Sequence, residues 1–254
     1  MRGVKSFEYP EAKNVVICGD IHGEFGTLVH KLCIQYRMED TLLIVAGDCG
    51  FGFEKPEYYE QIYNRVVGRL RKANNWVVFV RGNHDDPSYF NEEKISHRRW
   101  RTVPDYSVIS ACGHAILCVG GAISIDRSYR RIEQYLQNLK ETGYYWINEA
   151  PYYDSEKLDA LADFSIDTVV THTAPSFCEK KTKRGLSGWA ENDPDLYDDL
   201  KYERAVMDRL LNELRDRWHP VLRWYYGHFH DSWTGIVEGI KYRMLDILEI
   251  CEVI

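Results

Sequence analysis

The chain has 254 residues, 44% of them hydrophobic and 28% charged, with a formal net charge of −7. That balance supplies a core for one large domain, and the acidic excess argues against general binding to nucleic acid or an anionic membrane, both of which need a positive field. Seven cysteines form no Cys-x-x-Cys pair, residues 1–13 lack an apolar signal segment, and no stretch approaches the ~20 apolar residues that span a bilayer, so the expectation is a cytoplasmic protein with no membrane partner.

In chain order, Val15 to Cys18 reads as a buried strand and is followed by Asp20-Ile21-His22. Phe25, Leu28, Val29, Leu32 and Tyr36 then repeat at helical spacing. Leu42 to Ala46 is a second apolar run, ending in Gly47-Asp48, and Ile62, Val66, Val67 and Leu70 mark a second helix. Val77 to Val80 leads into Gly82-Asn83-His84-Asp85. After the paired glycines Gly120-Gly121, residues 126–140 carry Tyr129, Ile132, Leu136 and Leu139 on one stripe, which reads as core packing. Residues 143–154 are aromatic and proline-interrupted, and residues 178–200 open basic (Lys180, Lys181, Lys183, Arg184) and turn acidic; both are expected as lid or insert loops within a single domain spanning 1–254. Thr168 to Val170 precedes Thr171-His172. The clearest helix runs from Tyr202 to Trp218, and Leu222 to Tyr226 leads into Gly227-His228-Phe229-His230. Residues 234–253, broken at Glu238-Gly239, suggest a hairpin and a closing strand. Strands alternating with helices and finishing antiparallel argue for a layered α/β domain.

Each of the strings that trail a strand holds metal-binding side chains, and five of the nine histidines fall in them. Strands of one sheet release their following residues along one rim, so these groups are expected to meet there. Oxygen and imidazole donors gathered in that way suit two divalent cations, which need a bridging anion between them. Asp48, flanked by small residues that allow a sharp turn, is the best candidate bridge. Cys49 is a candidate thiolate beside it, although a hard-cation site already supplied with oxygen and imidazole has little use for sulfur. His30, His97, His114 and His219 lack this context and read as surface or structural.

The ordered set Asp-x-His, Gly-Asp, Gly-Asn-His-Asp, a lone His and Gly-His-x-His resembles the calcineurin-like metallophosphoesterase superfamily over residues 14–248. The resemblance implies two stacked mixed β-sheets flanked by helices, a four-layer αββα sandwich. It implies one metal on Asp20, His22, Asp48 and His230, a second on Asp48, Asn83, His172 and His228, and His84 as the acid beside the leaving group. Two divalent ions are the expected cofactor, with manganese favoured over iron or zinc. The expected activity is hydrolysis of phosphate mono- or diesters by metal-activated water.

One departure narrows the substrate. Protein serine/threonine phosphatases continue Gly-Asp-x-x-Asp-Arg-Gly, whereas Gly47-Asp48 continues Cys49-Gly50-Phe51-Gly52, lacking both the aspartate that orients the histidine and the phosphate-holding arginine. A phosphorylated small molecule or nucleotide is therefore preferred as substrate, with phosphoprotein and nucleic acid as alternatives and a non-catalytic scaffold as the reading from another class. Arg127 or Arg130, just after the paired glycines, is the candidate phosphate-binding group.

Overall fold

A computed structural model describes residues 3–137, 142–178 and 185–254. Leu139 of the expected stripe and the basic group from Lys180 to Arg184 lie outside the described residues. Among these residues there are thirteen strands: β1 (Ser6–Glu8), β2 (Asn14–Cys18), β3 (Thr41–Val45), β4 (Trp76–Phe79), β5 (Ser96–His97), β6 (Trp100–Thr102), β7 (Ser107–Ala111), β8 (His114–Val119), β9 (Thr168–Thr171), β10 (Arg223–Tyr226), β11 (Trp233–Val237), β12 (Ile240–Met244) and β13 (Ile250–Glu252). Seven α-helices accompany them among the described residues: α1 (Phe25–His30), α2 (Pro56–Lys72), α3 (Pro87–Asn91), α4 (Arg127–Leu136), α5 (Ser155–Asp159), α6 (Leu186–Ala190) and α7 (Leu196–Asp216). None is long and apolar enough to cross a membrane.

The strands form two sheets, one ordered β13-β2-β3-β4-β6-β5 and the other β1-β7-β8-β9-β10-β12-β11. Both are mixed: β2, β3 and β4 run parallel while β13 joins antiparallel, and β8, β9 and β10 run parallel while β7 joins antiparallel. Successive side chains of a strand point to opposite faces. Val15, Ile17, Leu42, Ile44 and Val78 accordingly meet Ile109, Ile116, Cys118, Val170 and Tyr225 between the sheets. Their neighbours Val16, Leu43, Val45 and Phe79 face α1 and α2, while Leu117, Val169 and Trp224 face α7 on the far side. Burial on both faces explains why the strands read as continuous apolar runs and not as alternation. The result is the expected four-layer α/β arrangement, two mixed sheets flanked by helices.

Two expectations about helices are corrected. The stripe on α4 is not core: none of its residues is buried, and Tyr129, Ile132, Tyr135 and Leu136 are all exposed. A period of 3.6 shows that a helix is two-faced, but it carries no information on whether anything covers the apolar face. Residues 178–200 are also more regular than expected, since α6 lies within them and α7 begins at Leu196.

Candidate metal centre

The loops that carry the motif residues all leave the carboxyl ends of strands. Asp20 and His22 follow β2, Asp48 follows β3, Asn83 and His84 follow β4, His172 follows β9, and His228 and His230 follow β10. The first three strands lie in one sheet and the last two in the other. The groups therefore meet across the seam between two sheets and not along the rim of one, as the strand pattern alone had suggested. Stacking the sheets brings both sets of carboxyl ends to the same side.

The backbone holds these side chains in uncommon conformations. His22, Asp48, His228 and His230 have φ of 44°, 47°, 68° and 46°, a left-handed region that costs an L-residue roughly 1–2 kcal/mol. Hydrogen bonds hold the turns: His22 N donates to Asp48 O at 2.8 Å, His84 N to Asp48 Oδ1 at 2.8 Å and His228 N to Asp20 Oδ1 at 2.9 Å. Gly47 has φ +99° and packs directly under His172, so a Cβ there would overlap the imidazole ring. Asp85, the last residue of its motif, accepts from the backbone N–H groups of Cys49, Gly50, Phe51 and Gly82 at 3.0, 2.7, 2.9 and 2.8 Å. It thus fixes the turn that presents Asp48. Burial, reinforced by the charge of Asp48, pushes the Asp85 carboxyl up to about 6, against the pull of those donors.

Two donor groups share Asp48. In the first, one ligand atom from each of Asp20, His22, Asp48 and His230 lies within 4.8 Å of all the others. His22 Nε2 is 3.0 Å from His230 Nε2, which is 3.0 Å from Asp20 Oδ2. Asp20 Oδ2 is buried, with His230 Nε2 close by but no well-aligned hydrogen bond among the described residues, a carboxylate oxygen that a cation would satisfy. In the second, His172 Nε2 lies 2.9 Å from Asn83 Oδ1 and 3.1 Å from Asp48 Oδ1, and the His228 ring is 5.0 Å from the His172 ring.

The electrostatics agree with this division. Burial works against a charged His172, but the charge and hydrogen bond of Asp48, with help from Asp20, push it up to about 9. Its Nδ1 faces Ala46 O at 2.8 Å, which leaves Nε2 turned to the oxygens of Asp48 and Asn83. With Nδ1–H given to Ala46 O, the Nε2 lone pair would be open to a cation that draws the same oxygens. Burial, with the charge of His172, holds His228 well below the ordinary histidine value. Burial also opposes ionisation of Asp48, yet His84, His172 and His22 hold its carboxyl well below the usual range. Oxygen and imidazole donors in two groups around one buried carboxylate fit two divalent ions.

His84 stands beside this centre, its Nδ1 3.7 Å from Asp48 Oδ2 and its ring 6.3 Å from that of Phe53. Burial lowers its pKa, Asp48 opposes that, and the Arg130 charge lowers it further. The two candidate arginines part company here. Arg127 is committed to Asp193 through Nε and Nη2 at 2.6 and 3.0 Å, and to Asp199 at 2.6 Å. Among the described residues Arg130 pairs locally, with both Asp126 oxygens at 2.8 Å, and lines a cleft of about 300 Å³ together with Tyr129, Glu133 and Tyr144. Cys49 turns its thiol to Val80 O at 3.2 Å, on the core side of its turn.

Other contributors carried no signal in the sequence. Residues 143–154, expected as a lid, are tied down by the buried Arg81, whose guanidinium donates to the carbonyls of Asn148, Glu149 and Ala150 at 3.2, 2.7 and 3.2 Å. That segment brings the Glu149 side chain to Ser124, and Ser124 to Asn83. No local pattern marks Glu149, because it sits in an aromatic loop while the groups it serves lie 25 and 66 positions earlier in the chain.

A family model described as calcineurin-like phosphoesterase matches residues 13–232. Over 130 residues, 46% of the chain, the sequence is 28% identical to the serine/threonine-protein phosphatase 6 catalytic subunit of Caenorhabditis elegans, and the match spans only 38% of that protein. Among solved structures, TT1561 of Thermus thermophilus superposes with a TM-score of 0.54 at 14% identity, covering 94% of this chain and 91% of that one. A dimetal phosphatase from Danio rerio gives 0.51 at 14% identity, covering 94% and 88%; both are likenesses of fold. On the extent of the family match, joined to the ordered motifs that converge at one seam, the chain belongs to the calcineurin-like phosphoesterase family.

Proposed function

We propose that this protein is a two-metal phosphoric ester hydrolase acting on phosphate mono- or diesters of small molecules or nucleotides. The observation that carries the reading is the position of Asp48: one carboxylate reaches the His172 group through Oδ1 and His84 through Oδ2, while belonging to the cluster of Asp20, His22 and His230. Asp20, His22, Asp48 and His230 would hold one ion, and Asp48, Asn83, His172 and His228 the other. When bound, such a pair neutralises phosphate charge and lowers the pKa of water enough for attack near neutral pH; the donor set suits manganese, iron or zinc.

The protein's own groups do the rest. Arg130, held by Asp126 at the edge of the cleft beside His84, is the better placed arginine for a phosphate oxygen, since Arg127 already answers two carboxylates. His84 as imidazolium gives a proton to the departing oxygen, so that it need not leave as an alkoxide. Burial and the Arg130 charge work against that protonated form, and the nearby Asp48 charge opposes them.

The stretch shared with the nematode phosphatase subunit favours a second reading, hydrolysis of phosphoproteins. Against it, the turn after Asp48 is Cys49-Gly50-Phe51-Gly52, which carries no acid or arginine; the N–H groups of Cys49, Gly50 and Phe51 go to Asp85 and that of Gly52 to Tyr59 Oη. Turnover of p-nitrophenyl phosphate, its bis ester, dinucleoside polyphosphates, a phosphopeptide and single-stranded DNA, with each metal in turn, separates these readings. Preferential turnover of the phosphopeptide would replace the small-molecule assignment.

A further inference from the structure

The second ion needs a carbonyl oxygen from Asn83, but an amide has two ends of nearly equal size, and only one can ligate a cation. Asn83 is 3% exposed and lies between His172, which faces its Oδ1 at 2.9 Å, and Ser124, whose Oγ accepts from its Nδ2 at 2.9 Å. A serine hydroxyl does not by itself choose between the two ends, because it donates or accepts equally well. Glu149 removes that freedom. Its Oε2 is 2.6 Å from Ser124 Oγ and its Oε1 accepts from Ser124 N at 3.0 Å. An ionised carboxylate only accepts. With Glu149 ionised, the hydroxyl hydrogen points to it, leaving a lone pair for the amide nitrogen of Asn83 and turning Oδ1 to the centre.

We infer that Glu149 and Ser124 form a directional relay that sets which end of the Asn83 amide faces the second metal, making both positioning residues for that site. Both are buried, Ser124 3% and Glu149 2% exposed, and neither belongs to any of the motifs. The inference rests on the two-metal reading above. The relay also gives residues 143–154 a purpose: Arg81 clamps the carbonyls on either side of Glu149, so the segment acts as a brace behind the centre. Burial pushes Glu149 up to about 8, countered by the two Ser124 donors and by Arg127, and a cation beside Asn83 would favour the ionised form that the relay requires.

The test titrates metal-free protein with Co²⁺ and follows its visible absorption, which reports each equivalent without any turnover. The wild type is expected to take up two equivalents. Ser124→Ala, which removes the acceptor, and Glu149→Gln, whose amide can donate to the serine and let it reverse, are each expected to weaken the second equivalent about 10–100-fold and leave the first unchanged, the range seen when groups behind a ligand are lost. Ser124→Thr keeps the hydroxyl and should restore the second equivalent. Two equivalents bound with wild-type affinity by both Ser124→Ala and Glu149→Gln would overturn the relay alone. Equal weakening of both equivalents, or no recovery in Ser124→Thr, would also overturn it, reducing the pair to general support of the fold. A wild type that binds fewer than two ions would remove the two-metal reading, and the relay with it.

Discussion

Replacing His84 and Asp48 separately should damage the reaction in different ways, because in the proposed reaction one serves the leaving group and the other the whole centre. General acid catalysis contributes about 10²–10⁴-fold, so His84→Ala should lower kcat/KM for an alkyl phosphate by that factor, roughly 3–5 kcal/mol. With p-nitrophenyl phosphate the departing oxygen is already a good leaving group, and the loss should shrink to about tenfold or less. Asp48 has no such escape. Its oxygens lie 3.1 Å from His172 Nε2 and 3.7 Å from His84 Nδ1, distances that set the scale for its attraction to positive charge in the centre. At an effective dielectric of about 20, a unit charge at that range contributes about 4–5 kcal/mol. Asp48→Asn should therefore cost about 10³-fold or more, and by the same factor for both esters. The assay is a pair of kcat/KM values for each variant. If His84→Ala loses the same factor on both substrates, His84 is not the acid; if Asp48→Asn is rescued by the activated ester, Asp48 is not the shared ligand.

The arginines provide a second contrast. Arg130→Ala should raise KM for phosphate monoesters while leaving the melting temperature nearly unchanged, whereas Arg127→Ala, which strands Asp193 and Asp199, should cost about 1–3 kcal/mol of stability and leave KM alone. Gly47→Ala forces a Cβ into the His172 ring from a φ of +99°; a loss of at least ~1–2 kcal/mol, about 2–8 °C in Tm, together with weaker metal uptake is expected in thermal denaturation and metal titration. His219 offers a test far from the centre: it is 8% exposed and burial holds its pKa below the ordinary value. A folded state that keeps this imidazole neutral binds fewer protons than the unfolded chain, so this contribution to stability is present above the unfolded pKa of ~6.5 and is lost as pH falls below it. Denaturant midpoints measured from pH 7.5 to 5 should show a steeper decline for the wild type than for His219→Gln.

The residues of the candidate centre were legible because each is written next to the strand that delivers it, so a short string contains both the side chain and its placement. How those strands divide between sheets was not legible. All are apolar runs buried on both faces, and their partners are distant: β13 pairs with β2 and β1 with β7 across long stretches of chain. The α4 stripe failed for a related reason, since amphipathic spacing predicts the helix but not a partner for it. Arg127 and Arg130 look alike in sequence, and what separates them is Asp193 and Asp199, far downstream in the chain. Asp85 stood in plain view within its motif, but its role depends on backbone N–H groups of the Asp48 turn, which no side-chain pattern reveals.

An anomalous-scattering map from crystals grown with Mn²⁺ would test the central claim most directly. Two peaks about 3.5–4 Å apart, with Asp48 between them, Asp20, His22 and His230 around one and Asn83, His172 and His228 around the other, are the predicted result. A single peak, or a pair that Asp48 does not touch, would contradict it.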